Sequence, residues 1–136
     1  MGPAPGWPKP PAAATIENAD TSRVRANHQS VVTVLKDRYN YALQNATAMR
    51  MKELEGISNK LGGLFVFLNN TGAAGVGSDD ENTLTEPVAE ALVTLTENIR
   101  SGNVPVINSI LLHLSQSHWE EVSYWFMALK RLVKFA

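Results

Sequence analysis

Between Ser117 and Phe135 the chain reads S-H-W-E-E-V-S-Y-W-F-M-A-L-K-R-L-V-K-F, and this stretch narrows the possible folds more than any other. Val122, Trp125, Phe126, Leu129, Leu132 and Val133 recur at steps of three and one, which places them in one apolar stripe of an α-helix. Ser117 and Glu120 have the spacing of a capping box, in which each side chain satisfies an amide of the other's first turn. Glu120 and Glu121 then sit at the positive end of the helix dipole, and Lys130, Arg131 and Lys134 at the negative end. The stretch predicts one continuous helix over 117–135, with Trp125 at the centre of the core.

The same periodicity recurs upstream. Val31, Val34, Leu35, Tyr39, Ala42 and Leu43 predict a first helix near 23–45, with Asp20, Thr21 or Ser22 as its cap. Met51, Leu54, Ile57, Leu61, Leu64 and Leu68 predict a second near 48–69, capped by Thr47. Gly62 and Gly63 interrupt it at a cost of about 1 kcal/mol each relative to alanine. They imply either a tolerated kink or a neighbouring helix in close approach. Thr83 and Glu86 form another capping box for a third helix near 84–100, built on Leu84, Val88, Ala91, Leu92, Leu95 and Ile99 and stopped by Gly102. Asn103 caps a short fourth helix whose Val106, Ile107, Ile110, Leu111 and Leu114 turn inward. No segment shows the period-two alternation of a strand, so the expected architecture is an all-α, antiparallel five-helix bundle. A solenoid-like stack of helix pairs is the alternative.

Residues 1–20 read differently. Five prolines stand between Pro3 and Pro11, with no branched aliphatic residue before Ile16, so this region lacks the apolar surface needed to offset ordering. It is expected to be a disordered, proline-rich tail or linker preceding a helical domain over 21–136. Trp7 in P-G-W-P-K-P-P is either incidental or a docking anchor for a partner. The glycine-rich, acidic segment 70–82 has neither the Gly-Lys-Ser/Thr of a phosphate loop nor the spacing of an EF-hand, and reads as a surface loop.

Charge and side-chain chemistry limit the function classes. Lys and Arg number 12 against 13 Asp and Glu, for a formal net charge of -1, so no global field draws the chain to nucleic acid or an anionic membrane. There is no cysteine, hence no disulfide, thiol nucleophile or cysteine metal site. No apolar run is long enough to span a bilayer, and Met1–Pro11 lacks the apolar core of a signal peptide. Among the histidines, His113 and His118 lie five apart across a helix break, off the spacing that presents two ligands on one face. Serines fall mostly at caps and the carboxylate pairs diverge around their helices. The chain is therefore expected to be non-catalytic, with no cofactor, metal or small-molecule substrate. Lys130, Arg131 and Lys134 either compensate the dipole or meet an acidic partner. Trp119 and Tyr124, at the stripe's margin, are candidate half-exposed contact residues.

Three stretches carry a family resemblance: H-Q-S-V-V-x-x-L at 28–35, I-S-N-K-L-G-G-L-F-V-F-L-N at 57–69 and H-W-E-E-V-S-Y-W-F-M-A-L-K-R-L-V at 118–133. Together they resemble the helical domain shared by the C-terminus of the larger cage subunit of the COPII vesicle coat and the steroid receptor RNA activator protein. The resemblance implies a five-helix bundle behind a proline-rich region. On the coat branch it further implies other coat subunits as partners and a cytoplasmic place on vesicles at endoplasmic reticulum exit sites. On the receptor-activator branch it implies a nuclear co-regulator. Coat subunits of this type carry a Gly-Trp-Asn-Asp motif that meets the inner coat and its small GTPase. Gly6-Trp7-Pro8-Lys9 shares only its first two residues, so that role does not pass to Trp7.

Overall fold

The computed structural model describes residues 14–74 and 83–134. Among them the regular structure is entirely helical. A 3-10 turn, Ala26–His28, leads into α1 (Gln29–Asn45), followed by α2 (Ala48–Ala74), α3 (Glu86–Ser101), α4 (Val104–Ser117), α5 (Trp119–Val122) and α6 (Phe126–Val133). The helices form a bundle in which α1 packs against α2, α3 and α6, while α2 also packs on α6 and α3 on α4. One apolar cluster joins them all, and Leu61, Leu92 and Trp125 within it have no exposed surface.

Local chemistry sets most boundaries. The Thr47 hydroxyl accepts from the Arg50 amide at 3.4 Å as α2 begins. Asn103 Oδ1 accepts from the Val106 amide at 3.5 Å, and Pro105 sits in the first turn of α4, where no intrahelical amide is needed. Gly102 ends α3 with φ at 73°, the left-handed conformation that glycine adopts without a Cβ penalty. The buried Thr71 hydroxyl donates to the Phe67 carbonyl at 2.7 Å and accepts from the Leu84 amide at 2.8 Å, tying the end of α2 to the approach to α3.

Three expectations need correction. The first concerns the last helix, which is two: six α-helices are described, not five, because the chain turns at Ser123–Trp125. Ser117 belongs to α4, and His118, at φ -135° and ψ 24°, breaks the path to α5, so the Ser117–Glu120 capping box does not form. Two short helices meet a demand that one straight helix cannot. On α5, Glu121 reaches across to the start of α3, accepting from the Thr85 amide at 2.8 Å and the Thr85 hydroxyl at 2.7 Å. Past the turn, α6 lies on α2 and α1, where Leu129 and Leu132 are fully buried.

The second correction concerns the boundary at residue 20. Ile16 is 2% exposed and belongs to the main core, so packed structure reaches back at least to Ala14. The Ile16 amide donates to the carbonyl of Ser58 at 3.1 Å and to its hydroxyl at 3.2 Å. Thr15 and Asn18 satisfy each other's amides in a reciprocal turn, at 2.7 and 3.2 Å. Further on, the Arg23 amide donates to Asn69 Oδ1 at 2.7 Å. A Cβ on Gly62 would overlap the Thr15 backbone, and one on Gly72 the Arg23 carbonyl. Residues 14–24 thus form a strap laid along α2, and Gly62 admits this strap and not a neighbouring helix. The tail expected over the residues before Ala14 lies outside those described.

Third, α1 begins at Gln29 and not near 23. Asp20 caps no helix: its Oδ1 accepts from the Ser22 amide at 2.9 Å within the strap, and that bond holds its carboxyl below the ordinary pKa. Likewise α3 begins at Glu86 with Thr85 in the cap position, so the Thr83–Glu86 capping box is absent and Glu121 supplies an oxygen from across the fold.

A candidate docking face between the fourth and last helices

The residues singled out for partner contact do not form one patch. Trp119, 45% exposed, stacks edge-on against Phe126 with ring centroids 5.7 Å apart. Tyr124 is partly buried against α2. Its ring and that of Phe67 are edge-to-face with centroids 6.2 Å apart, and it receives the Lys60 ammonium at 4.1 Å from its centroid, a cation–π contact. Tyr124 is therefore a brace between the turn and α2. Arg131 is exposed. Trp7 lies outside the described residues.

Lys130 and Lys134 come together with a surface that the sequence reading left unassigned. They sit one turn apart, Lys130 on α6 and Lys134 at its C-terminal cap, and line a trough shared with α4. These two helices are not closely packed against each other, and the gap between them holds two adjoining hollows of about 330 and 370 Å³. Asn108 and Lys134 line both hollows, so the two adjoin along α4. Ile107, Leu111, Phe126 and Val133 give it an apolar floor, and Val104 and Leu112, 58% and 56% exposed, rise along its α4 wall. Arg38 closes one end, where its Nη2 donates to the Val133 carbonyl at 3.1 Å. The described lining residues include three cations and no carboxylate.

A clue to this face was present in the sequence. Ile110, Leu111 and Leu112 are consecutive, and a helix against a single neighbour layer cannot turn all three inward. Leu111 is buried, Ile110 half-buried and Leu112 exposed.

Chemistry elsewhere is sparse. His28 is buried at the junction of the 3-10 turn and α1, and its Nδ1 has no hydrogen-bond partner among the described residues. Burial first, then the nearby Arg25, lowers its pKa, against the opposing pull of Glu90 and Glu86. The rings of His113 and His118, five positions apart, are edge-to-face at 5.4 Å across the α4–α5 break. No group of three metal-ligating side chains occurs among the described residues. No described helix is long and apolar enough to cross a membrane.

No protein-family model and no solved structure matches the chain. The chain is similar to protein transport protein SEC31 homolog B of Arabidopsis thaliana, with 29% identity over 120 residues. That match covers 85% of this chain and 10% of the plant protein, so the chain spans about a tenth of the length of this curated relative. The likeness bears on the coat branch of the resemblance and leaves the receptor-activator branch without support.

Proposed function

We propose that this chain is a helical interaction module of a COPII outer-coat subunit, acting in coat assembly for transport from the endoplasmic reticulum to the Golgi. In this reading it works without catalysis, through shape and surface charge, and its partners are other coat subunits. It acts on the cytoplasmic side, peripheral to vesicles at exit sites, and neither nucleic acid nor membrane insertion takes part. The observation that carries the reading is the similarity to a SEC31 homolog over 85% of the chain, which takes in most of the helical part. The open α4–α6 face is what such a module needs, since helical bundles bind through grooves between helices.

The test combines recovery and deletion. Immobilised chain should retain purified outer-coat subunits, and removing this segment from the native reading frame should impair coat assembly on vesicles. If it retains none of them, and deletion leaves assembly intact, the proposal fails.

A further inference from the structure

We infer that the α4–α6 trough takes an acidic amphipathic helix from a partner protein, about three turns long. The inference rests on the interaction reading in taking the partner to be protein, and not on which coat it serves. Both walls of the trough are helices, and no sheet edge among the described residues could pair with an extended strand. An incoming helix satisfies its own backbone and asks only for an apolar seat. The trough supplies one in Ile107, Leu111, Phe126 and Val133, with Val104 and Leu112 exposed above them, and from Val104 to Ser115 the α4 wall runs about 16 Å, the length of roughly three helical turns.

Charge selects the sign of the visitor. Lys130 and Lys134 line the opposite wall one turn apart, about 6 Å, the spacing of carboxylates at i and i+4 on a facing helix. With Arg38 at one end and no carboxylate among the described lining residues, a basic segment is repelled, although the chain as a whole is near neutral at -1. Nucleic acid fits less well. Three cations, one of them already bonded to the Val133 carbonyl, give little phosphate contact, and Phe126, only 4% exposed, offers no face for a base to stack on.

A phage-displayed library of peptides about sixteen residues long, panned on the full chain, tests this. Enriched peptides, made synthetically with a fluorescein label, should carry apolar residues at helical spacing flanked by Glu or Asp. Their binding should weaken about tenfold or more in Lys130→Glu/Lys134→Glu and in Leu112→Asp. Amide shifts in an 15N-labelled chain should move along α4 and α6. Both variants alter exposed or half-buried positions, and thermal melting checks that they stay folded. The inference is overturned by no enrichment, by winners without acidic residues, by unchanged affinity in folded variants, or by shifts clustered at Tyr124 and Lys60. Concentration-dependent dimerisation abolished by Leu112→Asp would assign the trough to a second copy. Displacement of the peptides by a short RNA would assign it to nucleic acid. Coat binding retained by Lys130→Glu/Lys134→Glu removes the trough alone, whereas peptide binding without coat binding removes the coat reading alone.

Discussion

Leu61 and Leu64 on α2 and Leu129 and Leu132 on α6, two helices that pack on each other, have no exposed surface, whereas Leu112 on the outer face of α4 is 56% exposed and Val104, two turns away, 58%. The same kind of side chain therefore does two jobs. At the α2–α6 seam, burial removes apolar area from water at about 25 cal/mol per Å² and holds the fold together. On α4, that area stays wet and is available to a partner. The contrast predicts that stability and binding can be damaged separately.

The largest effect is expected at the seam. Leu61→Ala should lower unfolding free energy by about 2–5 kcal/mol, read from urea titration, because it leaves a cavity in a fully enclosed site. A loss below 1 kcal/mol there would mean that α2 and α6 are looser than described. Gly62→Ala comes next, at about 1–3 kcal/mol, since the Cβ must displace the Thr15 backbone. Hydrogen exchange at the Ile16 amide should accelerate in that variant. Gly56 sharpens the point, because a Cβ there meets nothing within 4 Å. Gly56→Ala should stabilise by about 0.5–1 kcal/mol through backbone entropy and helix propensity.

Glu121→Ala should cost about 1 kcal/mol by removing both bonds to Thr85, with little further loss when Thr85→Val is added. His28 contributes a pH dependence of known sign. Its folded pKa is lowered, so the unfolded chain takes up the proton first, and stability should fall as pH drops through the ordinary histidine range and on through the lower folded value. His28→Gln should flatten that slope in urea midpoints compared across this range. Smallest of all, Leu112→Ala should leave stability within about 0.5 kcal/mol of the parent while weakening capture of acidic helical peptides.

Helical class and most of the core were legible because burial follows the 3.6-residue period: Val31, Leu54, Leu92 and Leu129 all lie where their spacing put them. Terminations with a local cause were legible too, at Thr47, Gly102 and Asn103. What the residues did not disclose was decided at long range. The turn at Ser123–Trp125 serves contacts made 36 positions away by Glu121 and across the fold by Leu129. Ile16 looked like the end of a proline-rich region, yet it is held by Ser58, 42 positions on. Helix-capping patterns also misled where a better acceptor arrived from elsewhere, as Glu121 does at Thr85. Of the candidate contact residues, Lys130 and Lys134 share a groove, but their partner wall on α4 follows from tertiary packing, and only the surplus of consecutive apolar residues at 110–112 hinted at it.

The strap over Gly62 has a mechanical consequence. Thr15 rests near the midpoint of α2, and the chain then runs toward Gly72 at its far end. Tension applied through whatever precedes Ala14 would load the Ile16–Ser58 bonds first and the Arg23–Asn69 bond only afterwards. The attachment would open in sequence, Ile16 leaving the shared core before Val24 does.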